Sequence, residues 1–117
     1  MNQTLEEFIA CAEKKIYPSS EYVEEPGFEH LYVRFGKTYI EGQWYQRILT
    51  IANVQAEEPG QGTFTKFIQR IKQDWPDVGI YVECVLNPRF AAWLVRNGFS
   101  TVTLTGQSFY WLVEGNK

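Results

Sequence analysis

Two glycines stand directly ahead of a predicted helix in the stretch PGQGTFTKF, Pro59 to Phe67. Glycine suits a plain turn, because it relieves the backbone where a strand reverses into a helix. The same glycines suit a phosphate cradle, because a helix N-terminus presents unpaired N–H donors and about half a unit of positive charge. The stretch is therefore a candidate pyrophosphate site, with a simple turn as the alternative.

The better-known nucleotide motifs do not fit this stretch. A Walker A loop needs Gly-Lys-[Ser/Thr] at a fixed offset, which PGQGTFTK lacks. The dinucleotide-binding fingerprint needs a third glycine and a preceding parallel strand, whereas the strands ahead of Gly60 are predicted to be antiparallel. These mismatches disfavour a nucleotide triphosphatase and a dinucleotide-dependent enzyme.

Glu83 is the one carboxylate in the otherwise apolar run GIYVECVL. A buried charge is costly unless it is paired, and the pairing often shifts its pKa. Glu83 could therefore take a proton from a substrate amine, or it could make a structural bond to an arginine or a backbone donor. His30 is the only histidine and starts a predicted edge strand, which favours a surface role over a role as a base.

The first half of the chain predicts one helix followed by three strands. Thr4 and Glu7 have capping-box spacing, and an apolar stripe runs from Leu5 to Ile16. The segment 17–29 is predicted as a loop with room for one short strand. From Glu29 the apolar period becomes two, with a hairpin turn expected at Gly36-Lys37 and a longer strand after Gly42.

The second half alternates helices and strands. A helix is predicted from Gln61 to Asp74, because Pro76 must end it, and GIYVECVL reads as a buried parallel strand. Asn87-Pro88 predicts the cap and first position of a third helix, which Gly98 would end in the left-handed conformation. A closing hairpin follows. The fold class is thus α/β (α+β): a single domain, 1–117, with a mixed β-sheet and flanking helices.

At this point the chain resembles the GCN5-related N-acetyltransferase (GNAT) family. Aligned on ANVQAEEPGQGTFTKFI, Gly62 matches the central glycine of the family signature, while Pro59 and Phe64 replace its other two positions. NPRFAAWLVRNGF supplies Asn87 and Gly98-Phe99 at the family spacing. The resemblance covers about Glu29 to Val113, with an abbreviated N-terminal part, and small phage-encoded members look similar.

The resemblance implies acetyl-CoA as a co-substrate, with no metal, and a specific set of site residues. Backbone groups of Ala52, Asn53 and Val54 would hold the pantetheine arm. Glu83 is the expected catalytic carboxylate, and Leu94 stands where the family often has a tyrosine. Asn87 is expected to cap its helix and could also touch pantetheine. The segment expected to wrap the pyrophosphate comprises Pro59, Gly60, Gln61, Gly62, Thr63 and Phe64.

An N-acyltransferase acting on a small-molecule or protein amine is the leading interpretation of these residues. In it the amine attacks the thioester directly, and the rate comes from positioning and backbone donors. The alternative is a catalytically inactive GNAT-like protein that serves as a protein-binding module or acyl-CoA sensor, because the signature arginine, small residue and tyrosine are replaced.

Composition limits the partners. The chain has 117 residues, a formal charge of −3 and 44 % apolar residues, which predicts a cytoplasmic globular protein without affinity for nucleic acid or membrane. Cys11 and Cys84 lie outside any metal-ligand spacing and are expected to be reduced core residues. Exposed hairpins and aromatic-rich ends would permit a homodimer.

Overall fold

A computed structural model describes residues 3–56, 62–83, 85, 87–102 and 107–113. Within this part of the chain lie seven strands and three helices. In chain order they are β1 (Gln3–Thr4), α1 (Leu5–Ala12), β2 (Ser19–Glu24), β3 (Phe28–Ile40), β4 (Gln43–Ala56), α2 (Thr63–Asp74), β5 (Gly79–Val82), α3 (Pro88–Arg96), β6 (Ser100–Thr101) and β7 (Phe109–Trp111).

The strands form one mixed sheet in the order β1-β2-β3-β4-β5-β7-β6. The neighbours β2, β3 and β4 are antiparallel, whereas β4 and β5 are parallel, with α2 as the connection between them. β7 lies between β5 and β6 and is antiparallel to both. The predicted class, a mixed sheet with helices, is confirmed.

Local signals set the helix ends, with one exception. The capping box is present, because the Thr4 hydroxyl accepts from the Glu7 amide at 3.2 Å and the Glu7 carboxylate accepts from the Thr4 amide at 3.1 Å. The predicted extension of this helix to Ile16 is wrong. The amides of Lys14 and Lys15 donate to carbonyls three residues back, which tightens the chain into a turn, and Ile16 is left 91 % exposed.

The second and third helices end where glycine and proline predict. α2 stops at Asp74, two residues before Pro76. The expected start at Gln61 falls outside the described residues, and the described helix begins at Thr63. α3 begins at Pro88 behind the Asn87 cap, and Gly98 follows it with φ of 91°, as expected for a left-handed terminator.

The predicted hairpin turn at Gly36-Lys37 is wrong. β3 continues through these residues, and the turn lies at Glu41 and Gly42, which have φ of 49° and 84°. Gly36 serves a different purpose, since a Cβ placed on it would lie 2.8 Å from the Cα of Pro18. The glycine therefore permits a close approach of two chain segments, and it coincides with a register shift in the β3–β4 pairing.

The core lies between the helices and one face of the sheet. Inward-facing side chains of all three helices join one buried cluster with alternate residues of the central strands, including Leu31, Val33, Leu49 and Ile80. The opposite face carries a smaller buried cluster of Ile40, Tyr45 and Ile48. The two faces of the sheet therefore differ: one is covered by helices, and the other by strand side chains.

The segment 17–29 and Cys11 differ in how well they match expectation. The segment predicted as a loop with room for one short strand contains β2, which pairs with β3. Cys11 is exposed, so its predicted core position is wrong, and the placement of Cys84 lies outside the described residues. None of the helices in the described ranges is long and apolar enough to cross a membrane.

Candidate functional site

The parallel strands β4 and β5 separate at a defined point. Their paired register ends at Ile51 and Val82, and the Glu83 amide then donates to the Ile51 carbonyl at 3.1 Å. Beyond that point the chain after β5 turns to its other neighbour, because the Val85 amide donates to the carbonyl of Gln107 at 2.6 Å. β4 continues to Ala56 along β3. We call this separation of β4 from the chain after β5 the fork.

A bulge lies on β4 at the fork. Tyr32 pairs with Asn53 and Val33 pairs with Ile51, so Ala52 is an extra residue on β4 without a β3 partner in this register. A bulge bends its strand and increases the local twist. The bend falls where β4 leaves β5. Three predicted pantetheine-binding residues, Ala52, Asn53 and Val54, therefore lie on the β4 side of the fork.

The N-terminus of α2 has the open geometry that a phosphate site requires. Gly62 is the N-cap residue, has φ of 73°, and gives the helix no side-chain cap. Its carbonyl accepts from the Lys66 amide at 3.1 Å, and a Cβ on it would meet nothing within 4 Å. No acidic residue occupies the first turn. Pro59, Gly60 and Gln61, predicted to complete the cradle, lie outside the described residues.

Thr63 and Phe64 attach this helix end to the rest of the fold. The methyl of Thr63 lies against Gly27, where an added Cβ would be only 2.6 Å away. The Phe64 ring contacts Phe90 and Trp93 of α3 edge-on, with centroid separations of 4.6 and 5.7 Å. The side chain of Phe64 thus packs between the two helices. Thr63 and Phe64 together hold the first turn of α2 against the rest of the fold.

Glu83 forms an ion pair with an arginine, which was one of the two expectations for it, but the expectation that its carboxylate is buried is wrong. Its Oε1 lies 3.7 Å from Nη1 of Arg34 on β3, with 33 % of the Glu83 side chain exposed. Arg34 alternates with the core residues Val33 and Phe35, so this ion pair lies on the sheet face opposite the helices. A carboxylate that reaches solvent can exchange protons with a substrate amine.

Thr50 lies beside this ion pair. It is paired across the sheet with Arg34 on one side and with Tyr81 on the other, which puts all three on one row. Its hydroxyl is buried and has no hydrogen-bond partner among the described residues. A buried hydroxyl without a partner costs about 1–3 kcal/mol. The face of the sheet that carries Glu83 therefore also holds a buried hydroxyl without a partner among the described residues.

Asn87 acts as a helix cap, as its position before Pro88 predicts. Its Oδ1 accepts from the amides of Arg89 at 2.8 Å and Phe90 at 3.3 Å. The amide nitrogen of this exposed side chain is not used in the cap. Leu94, at the position of the family tyrosine, is fully buried in the core, with an exposed fraction of 0 %.

The cations of α2 are largely engaged away from a phosphate. Arg70 forms ion pairs with Glu6 of α1 and with Glu25. Burial raises the pKa of Glu25 despite the nearby Arg70. Burial also lowers the pKa of Lys72, whose ammonium lies 4.3 Å from the ring centroid of Trp111. Lys66, exposed in the first turn, is the cation nearest in sequence to Gly62.

The structure brings Ala52 and Glu83 together across the fork, since both flank the last β4–β5 hydrogen bond. Asn87 is committed to the cap through its oxygen, and Phe64 to helix packing. An arginine was one of the partners expected for Glu83, and the structure identifies it as Arg34. The only available signal was a charged residue in the alternating run LYVRF, which indicates a solvent-facing position and not a partner.

Among the described residues, no group of three His, Cys, Asp or Glu side chains is arranged to hold a metal ion. Comparison of the chain with protein-family models, curated proteins and solved structures finds no match. The geometry of the fork and of the α2 N-terminus therefore carries the functional interpretation without support from a relative.

Proposed function

We propose that this protein is an acyl-CoA-dependent N-acyltransferase of the GNAT type, which transfers an acetyl group from acetyl-CoA to an amine. The observation that carries the proposal is the fork. A parallel strand pair that separates beside a bulge exposes backbone N–H and C=O groups along one strand, and these groups can pair with the amides of a pantetheine arm. The position of α2 between β4 and β5 in the chain also supports it.

The N-terminus of α2 supplies the second half of the proposed coenzyme site. Gly62 leaves the first amides of the helix without a side-chain cap and leaves space for a ligand atom. Such amides favour a negatively charged group by about 0.3–1 kcal/mol at an exposed helix end. The pyrophosphate would lie here, and Lys66 could add a cation from the same turn.

In the proposed reaction the amine nitrogen attacks the thioester carbonyl carbon. A C–N bond forms, the C–S bond breaks, and coenzyme A leaves as its thiolate. The attacking ammonium must first lose one proton, which Glu83 would accept directly or through a water molecule, and the nitrogen would lose a second proton to solvent after the C–N bond forms. Leu94 carries no ionisable group, so solvent would protonate the thiolate. Backbone amides along β4 would stabilise the developing oxyanion.

The two substrates would approach from opposite faces of the sheet. The α2 N-terminus belongs to the layer of helices, whereas Glu83 and Arg34 lie on the opposite face. An acceptor amine at Glu83 and a coenzyme at α2 could then meet at the separation of β4 and β5 without competing for one surface.

A second candidate is a GNAT-like protein that binds a protein partner or senses acyl-CoA without turnover. Leu94 favours it, because an aliphatic side chain supplies no proton donor at the position of the family tyrosine. The ion pair of Glu83 with Arg34 also favours it, since the carboxylate already has a structural partner. Turnover separates a sensor from an enzyme, and coenzyme binding separates both from a scaffold.

Calorimetric titration with acetyl-CoA and with coenzyme A tests the proposal. We expect micromolar binding by the wild type. Gly62→Asp should weaken binding at least about tenfold through charge repulsion, whereas Gly62→Asn, which has the same shape and tolerates the same backbone conformation, should retain more affinity. A wild-type protein that fails to bind at about 1 mM coenzyme, or equal affinities for the two variants, would contradict the phosphate site.

A further inference from the structure

A second concave surface lies away from the fork, between the α1–β2 connection and the β3–β4 hairpin. Two adjoining cavities of about 380 and 500 Å³ open there, and both are lined by Lys15, Ile16 and Tyr17. β4 contributes Gln46 and Arg47 to the lining of the smaller cavity. We call these two cavities together the basic cleft.

Apolar side chains project at the rim of the basic cleft. Ile16 is 91 % exposed and Tyr17 is 79 % exposed, more than any other large apolar side chain among the described residues. Single exposed apolar residues are ordinary, but adjacent ones beside a cavity mark interaction surfaces more often. The floor is apolar as well, because the buried residues Ala12 and Phe35 also line it.

The charge of the cleft opposes that of the whole protein. Its lining contains the cations Lys15, Lys37 and Arg47 and the single carboxylate Glu13, although the chain carries a formal charge of −3. Lys14 lies between the lining residues Glu13 and Lys15 and is exposed. A local excess of positive charge on an acidic protein attracts an acidic partner.

The charged groups of the cleft have different roles. Arg47 forms ion pairs with both Glu13 and Asp77, which hold its guanidinium against the wall. Lys37 lies 5.3 Å from the ring centroid of Trp44, and neither Lys15 nor Lys37 forms an ion pair within the described part of the chain. These two ammonium groups are the ones able to meet carboxylates from outside.

The wall of the cleft is held in place by the core. The approach of Pro18 to Gly36, where an added Cβ would lie 2.8 Å from the Cα of Pro18, fastens the α1–β2 connection to β3. Ala12 at the end of α1 and Phe35 on β3 are both buried. The concave surface therefore exists before any partner binds, which lowers the ordering cost of association.

We propose that the basic cleft docks a polypeptide segment that carries glutamate or aspartate residues around an apolar or aromatic anchor. The anchor would enter the cavity against Ile16 and Tyr17, and the flanking carboxylates would meet Lys15 and Lys37. An anionic membrane or a nucleic acid fits less well, because both need a broad basic surface and the rest of this chain is acidic.

This docking is independent of acyl transfer. Arg47 lies four residues before Ile51 on β4, so the cleft and the fork are separated by roughly 13 Å of strand. Variants at the cleft should leave coenzyme affinity unchanged, and a failure of the proposed enzymatic function would leave the docking prediction intact.

Fluorescence anisotropy with a labelled synthetic peptide tests the proposal. The probe has two glutamates on each side of a Phe-Leu pair, and the matched probe has glutamines in their place. We expect the acidic probe to bind at least about tenfold more tightly than the neutral one, and more weakly at about 300 mM than at about 50 mM salt. Equal affinities, or no binding of the acidic probe below about 1 mM, would overturn the proposal.

Variants locate the binding surface. The double change Lys15→Glu with Lys37→Glu should weaken binding of the acidic probe at least about tenfold, and Ile16→Asp should weaken it similarly. Arg96→Glu, the same change of charge on an exposed residue of α3, is the control and should leave affinity within about twofold. Circular dichroism verifies that each variant is folded. Equal losses at Arg96, or tighter association of the wild type with phosphatidylserine vesicles than with the probe, would overturn the assignment.

Discussion

Arg34 and Glu83 lie 3.7 Å apart, guanidinium Nη1 to carboxylate Oε1, next to the last hydrogen bond between β4 and β5. Both side chains reach solvent, with 40 % of Arg34 and 33 % of Glu83 exposed. Ion pairs that reach solvent contribute only about 0–1 kcal/mol to stability. The Glu83 carboxylate lies beside the fork and contributes little to folding, which makes it a suitable candidate for a catalytic group. The proposed acyl transfer makes this pair testable.

Glu83→Gln should lower turnover about 100-fold and leave acetyl-CoA affinity unchanged, because the amide keeps the shape but cannot accept a proton from the amine. Steady-state rates with a panel of amine acceptors and calorimetry with acetyl-CoA measure the two quantities. Glu21→Gln on β2, also exposed, is the matched control. A wild-type rate for the Glu83 variant would remove this residue from the mechanism.

Asn87 separates capping from ligand binding. Asn87→Ala should lower the free energy of unfolding by about 1 kcal/mol, because two amides of α3 lose their acceptor. Asn87→Ser keeps a capping oxygen, adds no charge and loses the side-chain amide, so its free energy of unfolding should stay within about 0.3 kcal/mol of wild type. Urea unfolding gives the stabilities. If the serine variant is as stable as wild type but binds coenzyme more weakly, the amide nitrogen contacts the ligand, whereas unchanged affinity would limit Asn87 to its role as a cap.

Phe64→Ala should destabilise the protein by about 2–3 kcal/mol, less than a fully buried phenylalanine, because its ring links α2 to Phe90 and Trp93 but remains partly exposed. The indole of Trp93 reports on this site, so its emission should shift in the folded variant. Gln69→Ala, on the exposed side of α2, is the control. A loss no larger than that of the control would mean that Phe64 does not join the two helices.

The two carboxylates that pair with Arg70 should respond to pH in opposite directions. Burial raises the pKa of Glu25 in the folded protein. Burial also acts on Glu6, but a hydrogen bond from its own backbone amide and the interactions with Arg70 outweigh it, so the pKa of Glu6 is lowered. The folded state thus favours protonation of Glu25 and ionisation of Glu6 relative to the unfolded chain.

Unfolding of Glu25→Gln, Glu6→Gln and wild type between about pH 7 and about pH 3 checks these signs. Wild type should gain stability relative to Glu25→Gln as the pH falls, because protonation relieves a buried charge. It should lose stability relative to Glu6→Gln over the same range, because protonation removes a favourable charge. Parallel stability curves for the three proteins would contradict both assignments.

The features predictable from the sequence are those with a local cause. The capping box at Thr4, the cap at Asn87, the stop before Pro76 and the left-handed Gly98 each depend on residues within one turn of the chain. The alternation of Leu31, Val33 and Phe35 likewise placed these side chains in the core. Each signal needs only the geometry of a helix or a strand.

The features that sequence reasoning placed wrongly depend on segments distant in the chain. A hairpin turn was predicted at Gly36, but the turn lies at Glu41 and Gly42. A glycine is needed at position 36 because Pro18 packs too closely for a Cβ. Glu83 was expected to be buried, with an arginine as one possible partner, but it is partly exposed and pairs across β4 with Arg34 of β3. Neither partner could be chosen from sequence spacing, because strand register between separate segments is set by the packing of the whole sheet.

The amino-acid sequence thus specified the helices, the strand faces and a glycine at the start of α2. The fork arises only when β4 pairs with β3 on one side and β5 on the other. The bulge at Ala52 needs the pairing of β3 with β4, and the basic cleft needs the α1–β2 connection to pack beside these two strands. The physical reason is range: capping and periodicity act over a few residues, whereas the separation of two strands depends on hydrogen bonds between parts of the chain that meet only on folding.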